Sequence, residues 1–352
     1  MYPRLVVDLD KFEHNARTLI EMGARHGIAL AAVTKSFCAE SKMVEILANL
    51  PFEFLADSRL ENFENYPETR HAKTLLLRLP QPSDVERTVK TCDISLNSEL
   101  FTLRLLAKAA KKAGLRHGII LMIDLGDLRE GVYFKNEHLL FETVDFVAGD
   151  ESLYLEGIGT NLTCYGSVLP TMDNLQQLCD LAKTIEKRIG KKLNIISGGN
   201  SSSLYLLKKG KIPARVNNLR LGEAIIRGVE TAYGLPFIGL EQNVVTLEAE
   251  VIEMMEKPSM PEGILGINAF GEKPIYEDRG ITKRAILAVG RQDTDCNGLE
   301  CEGISVIGAS SDHLIAEGDL KLGEIVSFNL TYGAILAAFT SKYVGKSFKY
   351  KI

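Results

Sequence analysis

No run in this 352-residue chain approaches the ~20 consecutive apolar residues that cross a bilayer. The opening "MYPRLVVDLD" has neither the basic nor the apolar region of an export signal, so a cytoplasmic location and no membrane partner are expected. A basic surplus is also missing. Lysine and arginine total 41 against 46 acidic residues, a net charge of -5, which argues against a nucleic-acid partner. The short clusters "KKAGLRH" and "LLKKGK" read as solvated helix ends. Paired cysteines are absent too. Cys38, Cys92, Cys164, Cys179, Cys296 and Cys301 are scattered with no CxxC spacing, as in a chain of reduced thiols. Six dispersed histidines give no zinc spacing, so no metal site is expected.

The length suits one barrel of ~250 residues with a smaller second domain. Eight apolar, β-branched runs alternate with amphipathic segments: "IALAAVTK", "FEFLADS", "TLLLRL", "CDISLN", "GIILMIDLG", "SLYLEGIGTN", "LNIISGGNS" and "NNLRLGEAII". Helices are expected between them, as in "SELFTLRLLAKAAKKAG", where Ser98 reads as an N-cap, and "DNLQQLCDLAKTIEKRIG". Eight alternations predict a parallel (β/α)₈ TIM-type barrel of class α/β, with a doubly wound open sheet as the alternative. After about Gly228 valine-rich runs with turns take over, which predicts a C-terminal β domain. The expected layout is an N-terminal strand at 1–10 joining the β domain, a barrel at 11–230, and the β domain at 231–352.

Lys35 ends the first barrel run, where a barrel strand points into its mouth. A partly desolvated lysine has a lowered pKa and can form a Schiff base with an aldehyde. "SGGNSSS" (197–203) ends the seventh run, and its glycines, hydroxyls and free N–H groups suit a phosphate. A lysine and a phosphate cup in one barrel mouth together suggest pyridoxal 5'-phosphate.

From these motifs the chain resembles the alanine-racemase-like, fold-type III pyridoxal-phosphate enzymes. Within them it is most similar to amino-acid racemases of larger substrates such as ornithine. "AVTKS" looks like the lysine segment and "GGNSSS" like the phosphate loop, which implies cofactor contacts from Lys35, Asn200, Ser201 and Ser202. "LRLGEAIIRG" resembles the segment that sets Arg220 against the pyridine nitrogen, with Gly222 and Glu223 near the phosphate. "IDLGDLREG" implies that Arg129 holds the coenzyme oxygen or the substrate carboxylate. "GTNLT" implies that Asn161 lies against the ring. "NLTYGAIL" places Tyr332 at the phosphate, and "SSDHLIAE" places Asp312 near the substrate entrance. The resemblance also implies a homodimer in which one subunit's β domain closes the other's site. An arginine facing the ring nitrogen only donates, which favours reversible α-proton exchange over decarboxylation.

The chain departs from the alanine racemases at two points. Met122 stands where many of them carry a modified lysine, and "GRQD" has Arg291 in place of their tyrosine. Racemisation through two bases needs a second proton carrier besides Lys35. "DCNGLE" resembles the proton-donor loop of the ornithine-decarboxylase branch. That makes Cys296 the candidate, activated by cations such as Arg291, with His313 and Tyr332 in reserve. Asp293, Asp295 and Glu300 make this loop acidic, as suits a small amino-acid substrate with a second positive charge. The expected function is a pyridoxal-phosphate-dependent racemase of a cationic amino acid. A decarboxylase of a basic amino acid and a non-catalytic coenzyme-binding protein remain the alternatives.

Overall fold

The computed structural model describes residues 1–68, 71–273 and 275–350. The chain forms two compact units. One is Lys11–Gln242; the other joins Met1–Asp10 to Asn243–Ile352. The first unit therefore runs past the expected 230/231 boundary. Asn15 supplies the physical reason. Its Nδ2 donates to the carbonyls of Ile225 (3.0 Å) and Glu241 (2.8 Å), and its Oδ1 accepts from Glu241 N (2.6 Å), tying the turn-rich 229–242 segment to the first unit.

In chain order the elements begin with β1 (Arg4–Asp8), α1 (Leu9–Arg25), β2 (Ala29–Val33) and α2 (Ser41–Ala48). There follow β3 (Phe54–Asp57), β4 (Lys73–Leu76), α3 (Val85–Thr91), β5 (Ile94–Asn97) and α4 (Leu100–Ala113). Next come β6 (His117–Asp124), β7 (Val132–Tyr133), α5 (Glu137–Gly149), β8 (Leu153–Gly159) and α6 (Met172–Ile189). β9 (Ile195–Ser197), α7 (Leu204–Lys208), β10 (Asn218–Leu221) and α8 (Glu223–Arg227) complete the first unit's elements. Strands β5, β4, β3, β2, β10, β9, β8 and β6 pair in that order, all parallel, and β5 pairs with β6 to close the ring. The fold class is thus a closed (β/α)₈ barrel.

Barrel strands such as "FLAD" and "HGIILMID" are buried along their whole length, because interior side chains cover one face and helices the other. Ala31, Val33, Phe54, Ala56, Leu75, Ile94, Leu96, Ile120, Met122 and Ile195 form one apolar cluster, so Met122 is a packing residue here. Outside the ring, helices lay apolar stripes on the strands. α6 starts with a capping box between Thr171 and Asn174 and stops at Gly190, whose φ of 66° favours glycine. α4 starts one residue later than "SEL" suggested. Glu99, not Ser98, is its N-cap, accepting from Phe101 N.

The second unit is an antiparallel sheet of β11 (Val245–Pro258), β12 (Ile281–Leu287), β13 (Leu299–Glu300), β14 (Ser305–Ala309), β15 (Leu314–Glu317) and β16 (Ile325–Leu330). β1 pairs with β11 antiparallel and with β17 (Gly345–Lys349) parallel. Along the first half of β11, 245–251, buried and half-buried residues alternate, as expected for a sheet with one covered face. A helix, α9 (Tyr332–Thr340), interrupts this unit. Its sequence "YGAILAAFT" is apolar almost throughout and so shows no polar stripe from which to read a helix.

Two tests follow from the packing. Gly157 lies where a Cβ would stand 2.0 Å from Ile195 O across the β8–β9 pair. Gly157→Ala should therefore cost at least ~2 kcal/mol in urea unfolding. At the closing seam, the Asn97 amide donates to Ser95 Oγ (2.9 Å), and Ser95 Oγ is 2.7 Å from His117 Nε2. Burial pushes the His117 imidazole down from 6.5 to about 4. Between those values the unfolded chain binds the proton and the folded chain does not, so stability falls as pH drops through this window. The loss is about 3 kcal/mol by pH 4. Denaturant titrations from pH 7 to pH 4 should show it, and His117→Gln should flatten that part of the profile.

Candidate active site

Barrel closure brings six strand ends to one rim. Lys35 follows β2, Asp57 ends β3, and Arg129 and Glu130 follow β6. Asn161 follows β8, Ser201–Ser203 follow β9, and Gly222 follows β10. In such a barrel this C-terminal rim is where chemistry sits.

Lys35 opens a short 3₁₀ turn, Lys35–Phe37, straight after the strand. Burial, then the positive charge of Arg129, pushes its amine below the ordinary lysine range. Beside it, Thr34 Oγ1 donates to Asp57 and lies 2.8 Å from Tyr66 OH. Asp57 also accepts from the backbone N–H groups of Ser58 (2.6 Å) and Arg59 (2.9 Å) and from Asn62 Nδ2 (2.9 Å). Even so, burial raises its carboxyl.

Arg220 is buried in β10. Its Nη1 donates to Ser197 Oγ, and its Nη2 donates to Thr160 O and Asn161 Oδ1, both at 2.7 Å. These bonds use three of the five N–H groups of a guanidinium. Burial pulls its pKa down to about 10, which still leaves it charged at neutral pH. Asn161 passes the line on, its Nδ2 donating to Glu130 Oε1. Glu130 in turn accepts from Nε and Nη2 of Arg129. Burial pushes Glu130 up, but Arg129 and Asn161 outweigh it and hold the carboxylate below its ordinary range.

Two aspartates shape the loop that carries Arg129. Asp124 Oδ1 accepts from Gly126 N (2.8 Å) and Leu128 N (3.1 Å). Asp127 accepts from the backbone of Cys164 (3.2 Å), Tyr165 (3.0 Å) and Val168 (3.0 Å), locking the β6 and β8 loops together. Gly131 has φ 134°, and a Cβ there would meet Asp124 N at 2.4 Å. The two aspartates and Gly131 thus hold the path of the loop "DLGDLREG".

In the serine loop, the Asn200 side chain is used to build the turn. Its Oδ1 accepts from Ser202 N (2.8 Å), and its Nδ2 donates to Leu162 O (3.0 Å) and Cys164 Sγ (3.4 Å). Ser201 Oγ accepts from Ala224 N (3.2 Å), joining this loop to the start of α8. Ser203 N also donates to Asn200 O (3.0 Å), so the turn itself satisfies the N–H groups of Ser202 and Ser203. Glu223 turns its carboxylate to Arg227 (2.6 Å), which leaves its backbone rather than its side chain for a ligand.

The remaining expected residues belong to the β unit and form a second group. Cys296, Asn297, Glu300, Cys301 and Glu302 line one open cavity of about 640 Å³. Cys296 is buried, and burial pushes its thiol up to about 11 against the pull of Arg291. Arg291 is engaged elsewhere, paired with Glu272 (3.1 Å) and stacked on Phe270 (3.9 Å). Asp293 Oδ2 accepts from Gly290 N (2.9 Å) and Asp295 Oδ1 from Asn297 N (3.2 Å), so both aspartates hold their own loop. Asp312 pairs with His313 Nδ1 (2.8 Å). Tyr332 is the first residue of α9.

Glu130, Asp57, Asp127 and Cys164 were not singled out from sequence. The dense carboxylates and glycines of "DLGDLREG" were the available signal for Glu130 and Asp127. Among the described residues no cluster of three metal-ligating side chains occurs, and no helix is long and apolar enough to cross a membrane.

A closed parallel barrel with a lysine, two arginines and a serine loop on its C-terminal rim has the form of a barrel enzyme with a site suited to an anionic ligand. The chain belongs to the alanine racemase family, whose N-terminal domain model matches residues 7–228. It is 45% identical to the ornithine racemase of Acetoanaerobium sticklandii, over 98% of this chain and 99% of that one. It is 38% identical to the lysine racemase of Thermotoga maritima, over 99% of both. A solved alanine racemase from Streptomyces lavendulae shares the fold, with a TM-score of 0.75 at 18% identity, covering 100% of this chain and 98% of that one. A Bartonella henselae alanine racemase with covalently bound pyridoxal phosphate gives 0.72 at 17%, covering 99% and 100%.

The lowered pKa of Lys35 is open to a direct test. Trapping by an aromatic aldehyde and borohydride, followed by peptide mapping across a pH series, should show Lys35 half-reactive below ~10.4, the value for a free lysine side chain. A half-point at or above that value would show that burial does not activate this amine.

Proposed function

We propose that this chain is a pyridoxal-phosphate-dependent racemase of a basic amino acid such as ornithine or lysine. It would work in the cytoplasm as a homodimer with shared active sites. The observation that carries this reading is the half-buried Lys35 amine, its pKa lowered, on the same rim as Arg220 and the Ser201–Ser203 loop. The two curated relatives, an ornithine and a lysine racemase, support the reaction and the substrate class.

The residues fit the coenzyme. Among the described residues Lys35 has no carboxylate within ion-pair distance. Ser36 Oγ and Thr160 Oγ1 are buried without a partner, next in sequence to Lys35 and Asn161. Pyridoxal phosphate, when bound, supplies the electron withdrawal that makes an α-hydrogen acidic. Lys35 would hold it and then carry a proton on Nζ at one face of the substrate, a role that a lowered pKa suits. Ser201, Ser202 and the backbone at Gly222 and Glu223 would hold the phosphate, with Asn161 against the ring. Arg220, charged and donor-only, would give a ring nitrogen a hydrogen bond without a proton, which favours proton exchange over decarboxylation. Arg129 would bind the substrate carboxylate.

The second proton carrier would be Cys296, supplied by the partner subunit. A thiol near 11 is protonated at neutral pH, so it suits donation; accepting a proton would require Arg291 to leave Glu272. Glu300, in the cavity of Cys296, would face the distal ammonium, with Asp293, Asp295 and Asp312 adding to the local field and Tyr332 reaching the phosphate.

Incubation with L-ornithine or L-lysine in D₂O should give loss of optical rotation with α-deuteration, and L-alanine should react far more slowly. Evolution of CO₂ instead would point to a decarboxylase. Lys35→Ala should abolish exchange and the long-wavelength absorbance of bound coenzyme. Cys296→Ala should slow exchange by roughly 10²–10⁴-fold. A near-wild-type rate would remove Cys296 as the second carrier.

A further inference from the structure

The geometry points to Glu130 as a positioning residue that pins both active-site arginines through the amide of Asn161. This inference rests on the racemase reading above.

Glu130 is the end point of every donor in the line. Arg129 donates to it through Nε and Nη2, and Asn161 donates to it through Nδ2. Asn161 then has only its oxygen left, and that oxygen accepts from Arg220 Nη2 at 2.7 Å. A guanidinium has no acceptor and a carboxylate no donor. The amide of Asn161 can therefore face only one way while Glu130 is ionised. Reversing it would set its NH₂ against Arg220 and its oxygen against Glu130. The direction of four hydrogen bonds is thus set by one half-buried carboxylate. The same carboxylate is an anion near Lys35 and Arg220, and it favours the charged form of each. Arg129 keeps Nη1 for a ligand, and Arg220 keeps its remaining donors aimed where Asn161 and Thr160 hold them.

This arrangement can be tested by moving the charge one residue along the line. Glu130→Gln puts a second amide between Arg129 and Asn161, and no orientation of the two satisfies all the donors. Asn161→Asp puts two carboxylates side by side. The double variant Glu130→Gln/Asn161→Asp returns a carboxylate to the line: Arg129 Nε donates to the Gln oxygen, the Gln amide to the new carboxylate, and Arg220 to that carboxylate, while only Arg129 Nη2 has to turn away. Each single variant should lose activity by roughly 10²-fold, the cost of misplaced positioning groups. The double variant should recover at least tenfold over either single. Aldehyde trapping on Lys35 of the coenzyme-free protein supplies a second readout. Glu130→Gln should lower the half-reactive pH, because an anion that stabilises the ammonium is gone, and the double variant should move it back. Glu130→Asp keeps the charge but shortens the reach. It should hold that pH near wild type while losing activity, and it carries the test should Glu130→Gln fail to fold.

Wild-type activity and an unshifted pH profile in Glu130→Gln would overturn the proposal. So would a double variant no better than the singles. If wild-type protein traps no coenzyme on Lys35, the racemase reading itself fails. If the wild type traps coenzyme and racemises while the exchange has no effect, only the role of Glu130 falls.

Discussion

Closure of the parallel sheet between β5 and β6 is the constraint from which the active rim derives. An open sheet of the same strands would spread their C-terminal ends along a line. Closure places them in a ring, so that residues as distant in sequence as Lys35 and Arg220 come to one mouth. The register of β2 on β10 sets Arg220 beside Ala31, four residues before Lys35. The cost of the ring is an interior that must be filled and dry, and Phe54, Met122 and Ile195 help fill it. Polar groups that remain inside, such as the guanidinium of Arg220, are held by hydrogen bonds to fixed partners.

The electrostatics of the rim follow from that burial. Lys35, Arg129 and Arg220 would repel one another if they were brought together alone, and Glu130 is the carboxylate bonded within this set. Burial and Arg129 lower the pKa of Lys35, which pairs with no acid among the described residues, whereas Arg220 stays charged. The result is one amine with a lowered pKa beside two arginines that stay charged. That is the division of roles an anionic coenzyme and a carboxylate substrate require.

The β unit shows the opposite use of burial. Cys296 is buried, Arg291 is engaged by Glu272 and Phe270, and burial makes the thiol rise instead of fall. Sequence proximity of Arg291 to Cys296 suggested activation. Burial outweighs the pull of Arg291 and reverses the sign. Asp293 and Asp295 illustrate the same point: both look like ligands in sequence and both bind backbone N–H groups of their own loop.

Strand–helix alternation, the strand-end lysine and the serine loop were legible in the linear chain because each depends on local pattern: periodicity, glycine and hydroxyl content, position after an apolar run. The family resemblance added Arg220 and Arg129 by motif. Other features were hidden. α9 carries no polar stripe, Ser98 yields its capping place to Glu99, and the Asn15–Glu241 bonds that extend the barrel unit join residues 226 positions apart. Glu130 is adjacent to Arg129 in sequence, yet its meaning comes from Asn161, 31 residues away on another strand end. Sequence determined which chemical groups were available and in what order. Tertiary structure decided their partners, and so their charge and direction, because a buried charge or donor is defined by what it can reach in space.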